Sequence, residues 1–206
     1  MVSKKSCLML VAMSFFLLMG CTANRINIAV EKDSVAPGSS VAKQGQNLKL
    51  IGQPISVGDA LPSVMLVDAM TMKPVDLSAM KGSIVLLSIV PSIDTAVCEA
   101  QTHYLGEEGN RLPPQIKRIT ISRDTPFAQK RFAKEAKLEH IQFLSDYKEG
   151  AFGRATGLLI DGDMLLTRSV IILDKEGRVR YIQVVPEITH LPDLERAFQK
   201  AEELAR

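Results

Sequence analysis

The stretch Pro91-Ser92-Ile93-Asp94-Thr95-Ala96-Val97-Cys98 holds a proline, a threonine and a cysteine at a spacing that suits thiol chemistry. The thiolate is the nucleophilic form of cysteine, and it is favoured by a nearby cation or by the N-terminal end of a helix. The stretch follows Ser83 to Val90, a continuous apolar run rich in branched residues. Such a run reads as a central strand buried on both faces. Thr95 is a good helix N-cap, which puts Cys98 in the first turn of a helix. That helix opens at the C-terminal end of a strand, where open α/β sheets build their sites. The Thr95 hydroxyl, three residues before the sulfur, is expected to hydrogen-bond both the thiolate and an incoming substrate atom. Pro91 lacks a backbone donor and is expected to wall the pocket against water.

The other cysteines have different fates. Lys4 and Lys5 precede Cys7 to Met19, an uninterrupted run of apolar and small residues. This run is shorter than the roughly 20 apolar residues of a comfortable membrane span, and it fits the apolar region of an export signal. It ends in Leu18-Met19-Gly20-Cys21, which resembles the lipobox of bacterial lipoproteins. The resemblance implies cleavage before Cys21 and acylation of that residue, and several acyl chains make a stable anchor. The protein is therefore expected to be exported and lipid-anchored to a membrane, the bacterial outer membrane facing the periplasm. Cys98 is then the one free thiol, and no CxxC pair is present. A lone cysteine in an exported protein is either inert and buried or reactive.

Three segments follow: residues 1–20 as signal, 21–47 as a lipidated flexible tether rich in small and polar residues, and 48–206 as one globular domain. Leu48 to Ile51 and Pro54 to Val57, around Gly52-Gln53, suggest an N-terminal hairpin. Strands are expected at Val64 to Val67, Ile116 to Ile121, Ile141 to Leu144, Ser169 to Leu173 and Val179 to Val184. The last two are joined by the turn Asp174-Lys175-Glu176-Gly177. Thr125 to Lys137 reads as a helix with Pro126 in its first turn, and a final amphipathic helix runs from about Pro192 to Leu204. The order predicts an α/β thioredoxin-like sandwich, a central mixed sheet flanked by helices. The formal net charge is +2, and removal of Lys4 and Lys5 leaves the mature chain balanced. Nothing in that balance points to nucleic acid.

The string Pro-Ser-Ile-Asp-Thr-Ala-Val-Cys resembles the active-site motif of the peroxiredoxins, in particular the thiol peroxidase subfamily. Asp124-Thr125-Pro126-Phe127-Ala128-Gln129-Lys130-Arg131-Phe132 and Pro186-Glu187-Ile188-Thr189-His190-Leu191-Pro192-Asp193 resemble two further segments of that subfamily. The resemblance covers Leu48 to the C-terminus. It implies the peroxiredoxin form of the thioredoxin fold, with Cys98 attacking hydrogen peroxide or alkyl and lipid hydroperoxides. It also implies an arginine that holds the thiolate and stabilises charge as the O–O bond breaks, and Arg168 stands at the matching position. Arg131 and Arg154 are weaker candidates. The subfamily's resolving cysteine is replaced here by Ala133, so the Cys98 sulfenic acid needs an external thiol or a thioredoxin-like reductant. A homodimer is common in the subfamily.

No cofactor or metal is expected. His103, His140 and His190 lack ligand spacing, and Asp161-Gly162-Asp163 carries only a fragment of a calcium loop. The competing reading is a non-turnover lipoprotein on the same fold, acting as a redox sensor or binding module. Joint presence of Pro91, Thr95, Cys98 and Arg168 favours the peroxidase.

Overall fold

The structure is a computed structural model and describes residues 27–206. The expected signal and Cys21 lie outside the described residues. In chain order the strands are β1 (Val30–Glu31), β2 (Ser40–Lys43), β3 (Gln46–Ile51), β4 (Met65–Asp68), β5 (Pro74–Asp76), β6 (Ile84–Ile89), β7 (Ile116–Ser122), β8 (Gln142–Ser145), β9 (Leu159–Ile160), β10 (Ser169–Leu173), β11 (Val179–Val184) and β12 (Leu191–Pro192). The helices are α1 (Ala96–Glu107), α2 (Pro126–Glu135), α3 (Ala151–Thr156) and α4 (Leu194–Ala205).

Seven strands form the central sheet in the order β11-β10-β6-β7-β8-β4-β5. β6, β7 and β8 pair in parallel, and β10, β11, β4 and β5 add antiparallel neighbours. This is the mixed sheet of a thioredoxin-like fold. Every residue of β6 is buried, as a strand covered on both faces must be. Side chains alternate along it. Ile84 and Leu86 pack with Val170, Ile172, Leu105 and Phe198 beneath the helices. Val85, Leu87 and Ile89 join the opposite core with Leu50, Phe152 and Leu159. Ser88 follows the helical face, and this small polar residue matters to the site. No described helix is long and apolar enough to cross a membrane.

The N-terminal expectations need two corrections. Residues 27–47 are packed onto the domain, so the globular part begins well before Leu48. β1 pairs in parallel with β12, Val35 N donates to Val184 O at 3.0 Å, and the Gln183 amide donates to the carbonyls of Glu31 and Asp33 at 2.8 and 3.2 Å. The polar composition concealed this because the segment is held largely through its backbone. Val41, only 3% exposed, is its main contribution to the core.

The hairpin is also displaced. It joins β2 to β3 through Gln44-Gly45, with φ of 51° and 85°, the left-handed pair that a two-residue hairpin turn requires. Pro54 to Val57 form no strand. Their backbone lies instead against α3, where Gln53 N donates to Arg154 O at 2.7 Å and Ile55 N to Thr156 O at 3.4 Å. Gly52 fits there because a Cβ would sit 2.2 Å from Arg154 O.

Candidate active site

β6 delivers the chain to Val90, whose N–H donates to Ile121 O at 3.0 Å, which fastens the strand end to β7. Pro91 is buried at the turn. Asp124, just past β7, clamps the following loop: Ser92 Oγ donates to Oδ1 at 2.7 Å and Ile93 N to Oδ2 at 2.8 Å. A carboxylate held across two strand ends sets where the next helix begins. Thr95 is the N-cap of α1, with φ −127° and ψ 143°, and Cys98 follows in the first turn. Its side chain is fully buried against Val90 and Ile93, with Ala128 and Phe132 of α2 alongside.

Arg168 reaches this sulfur from the start of β10. It is 2% exposed, and its guanidinium has three fixed partners. Nη2 donates to Cys98 Sγ at 3.2 Å, Nη1 to Gln101 Oε1 at 2.7 Å and Nε to the Ile188 carbonyl at 2.8 Å. Gln101 is held in turn, its amide donating to Ser88 Oγ at 2.8 Å and reaching Ile89 O at 3.5 Å. A buried cation is costly unless it is paired and hydrogen-bonded. Burial pushes the Arg168 guanidinium below its ordinary value, and the adjoining sulfur pulls it back up. The arrangement is a pre-oriented cation aimed at one sulfur, with the first turn of a helix on its other side. It suits a nucleophilic thiolate and the negative charge that develops on an atom leaving beside it.

Of the residues singled out in the sequence, Cys98 and Arg168 are brought together, and Pro91 is buried in the turn between β6 and α1. Thr95 is exposed at the N-cap, and its hydroxyl donates to Ser92 O at 3.1 Å and not to the sulfur. The expected contact with the thiolate is thus absent from this geometry. The Thr95 carbonyl accepts from Glu99 N at 2.9 Å, while the exposed hydroxyl closes the turn behind it. Arg131 pairs with Asp94 at 3.6 Å on the surface. Arg154 Nε donates to Glu149 O at 3.3 Å. His103 Nδ1 lies 3.1 Å from Glu107 Oε1, in an ion-pair geometry that leaves Cys98 aside. Ala133 is buried in the helix–sheet core with Leu138, Ile141 and Phe143.

Gln101, Ser88, Asp124 and the Ile188 carbonyl carried no sequence-level role. Gln101 had a readable signal, since residues three apart on a helix share a face. Asp124 needed the tertiary fold, because its partners lie about thirty positions away in the chain.

The redoxin family model matches residues 56–198. The thiol peroxidase of Halalkalibacterium halodurans is 39% identical over 163 residues, covering 79% of this chain and 97% of the relative. That of Bacillus subtilis is 37% identical over 169 residues, covering 82% and 99%. Among solved structures, the peroxiredoxin-like protein from Aquifex aeolicus superposes with a TM-score of 0.75 at 32% identity, covering 80% of this chain and 96% of that one.

Proposed function

Because the chain belongs to the redoxin family, as a thiol peroxidase of the peroxiredoxin type, we propose that its thiol-dependent reduction of peroxides runs on Cys98 alone. The Cys98 thiolate attacks the terminal oxygen of a hydroperoxide. An S–O bond forms, the O–O bond breaks, and the departing alkoxide takes up a proton to leave as an alcohol, or as water when the substrate is hydrogen peroxide. Sulfur is oxidised to a sulfenic acid and the peroxide is reduced by two electrons. A first external thiol then condenses with the sulfenic acid, releasing water and forming a mixed disulfide. A second thiol, or the second cysteine of a thioredoxin-like reductant, releases the Cys98 thiol and leaves as an oxidised disulfide.

The observation that carries this reading is the contact of 3.2 Å between Arg168 Nη2 and Cys98 Sγ, on a guanidinium held by Gln101 and the Ile188 carbonyl. Those fixed donors keep the thiolate in place before reaction and face the charge that builds up as the O–O bond lengthens. Pro91 closes the buried side of the turn, and Thr95 stands where a peroxide enters. Residue Ala133 in the resolver's place supports an intermolecular second half-cycle. The lipobox-like Leu18-Met19-Gly20-Cys21 supports an exported protein anchored through Cys21, the outer membrane facing the periplasm being the favoured site. A homodimer is the assembly the subfamily suggests.

Steady-state reduction of hydrogen peroxide and cumene hydroperoxide by wild type and Cys98→Ser, with glutathione, dithiothreitol and a thioredoxin as donors, tests the proposal. Turnover by wild type with an external thiol, and none by the variant above background, is the expected result. Oxidation of Cys98 without turnover under any donor would favour a sensor instead.

A further inference from the structure

The turn that offers the Ile188 carbonyl to Arg168 is held by residues far from it in the chain. Glu187 to His190 form this turn, closed where His190 N donates to Glu187 O at 2.9 Å. One residue of β2 fixes the peptides on either side of Glu187. Ala42 N donates to Pro186 O at 2.6 Å, and Ile188 N donates to Ala42 O at 2.9 Å. The Ile188 side chain is buried in the core that also holds Val41 and Val184. Its N–H is thus spent on β2, while its carbonyl accepts from Arg168 Nε at 2.8 Å.

The Glu187 side chain closes the arrangement. Its Oε2 accepts from Gln44 N, in the turn between β2 and β3, at 2.9 Å. Its Oε1 accepts from Thr189 N at 3.1 Å and from Thr189 Oγ1 at 2.7 Å. Burial raises the Glu187 carboxyl, but the bonds from Thr189 and Gln44 and the nearby His190 outweigh it and hold the group below its ordinary value. Near neutral pH it is a carboxylate, which only accepts hydrogen bonds. β1 adds a second hold on the same turn: His190 Nδ1 lies 3.4 Å from Glu31 Oε2, and Leu191 N donates to Ala29 O at 2.8 Å.

Building on the reading of Cys98 as the peroxidatic residue, we propose that Glu187 is a positioning residue for the peroxidase reaction, tying the N-terminal hairpin to the turn whose Ile188 carbonyl orients Arg168 on the Cys98 sulfur. Glu187 touches neither the sulfur nor the substrate, so its influence passes through the guanidinium. Gln101 fixes Nη1 from α1, but a planar group held at one nitrogen can swing about that bond. The Ile188 carbonyl on Nε is the second fixed point, and with both in place Nη2 stays aimed at Cys98 Sγ. Displacing a reacting group by about 1 Å can cost about 10²-fold in rate. Freeing the turn from Gln44 and Thr189 is enough to allow a shift of that size.

Stopped-flow oxidation of Cys98 by hydrogen peroxide, in the full chain purified in detergent, tests the relay. Two variants are compared: Glu187→Ala, and the milder Thr189→Val, which leaves the carboxylate and its bond to Gln44 in place. Each is made alone and together with Arg168→Lys, which cannot offer an Nε–H to Ile188, and thermal unfolding checks that each is folded. Glu187→Ala is expected to lower the second-order rate constant at least about fivefold and Thr189→Val about twofold. Neither should lower it further once residue 168 is lysine, because contacts that act through one group are not additive. Rate constants equal to wild type in the single variants overturn the proposal. So do losses that persist in full beside Arg168→Lys, as a merely structural role would give. Should Glu187→Ala not fold, the Thr189→Val pair decides by the same criterion. A wild-type Cys98 that peroxide leaves reduced overturns the peroxidase reading, and this proposal with it.

Discussion

A buried guanidinium beside a cysteine sulfur is stable only while each of its N–H groups has a partner. Arg168 meets that condition through Cys98, Gln101 and the Ile188 carbonyl, so the three contacts should fail in different ways. Arg168→Lys keeps the charge but loses the planar fork. It should lower kcat/KM for peroxide by about 10²-fold, in line with the loss of one fixed donor at a developing charge, as measured by stopped-flow oxidation. Gln101→Ala leaves Nη1 of a buried cation without its acceptor. It should lower unfolding free energy by about 1–3 kcal/mol and slow Cys98 oxidation, and chemical denaturation together with the same kinetics checks both. Cys98 was legible from its place in the first turn of a helix after a buried strand, whereas Arg168 was marked only by the resemblance to the thiol peroxidase subfamily. Gln101 was less legible, since a glutamine within a helix carries no mark of being fully buried. Thr95 was legible as a cap, but its hydroxyl bond to Ser92 O depends on a side-chain rotation that spacing does not determine.

Elements place these residues, and the ends of the elements do most of the positioning. β6 and β7 end side by side in parallel register, and Asp124 joins the loops that follow them. The strands expected at Ser169–Leu173 and Val179–Val184 appear with those limits, because long branched runs are unambiguous when buried. The short β9 and the six-residue α3 were not anticipated, since neither is long enough to show a period. They form the seat for the N-terminal part of the chain. Gly157 ends α3 at φ 70°, its carbonyl accepts from Gly38 N at 2.8 Å, and a Cβ there would lie 2.8 Å from Pro54 Cα. Gly157→Ala should cost about 1–3 kcal/mol of stability through backbone strain and crowding, read as a lower Tm. Removing residues 27–47 should lower Tm further, because Val41 and the strap contacts to Gln183 and Val184 go with them. A flexible tether would have left Tm unchanged.

Over the whole molecule, the acid limit of stability should follow its hydrogen-bonded carboxylates. Burial raises Asp68, but hydrogen bonds from Gln142 and from Thr71 and Met70 outweigh it and hold this carboxyl below its ordinary value of 3.8. The unfolded chain then binds more protons than the folded one between that value and the lowered one. Asp68 thus contributes stability above about pH 4 that is lost as the pH falls through its folded value. Asp68→Asn should flatten the decline of unfolding free energy below pH 4, as measured by urea denaturation across a pH series. The sandwich architecture was legible from the order of the elements, whereas the folded strap was hidden by its polar composition. That difference bears on function, because a folded segment fixes the turn that carries the Ile188 carbonyl and a loose tether would not.

Reaction of the reduced protein, residues 22–206 produced without the signal and anchor cysteine, with one equivalent of cumene hydroperoxide tests the central claim most directly. Intact-mass and peptide analysis within the first turnover should show one oxygen atom added at Cys98, trapped as a sulfenic acid adduct, and return of the free thiol on addition of an external reductant. A Cys98 that stays reduced while peroxide is consumed, or a Cys98→Ser variant that consumes it equally fast, would contradict the account.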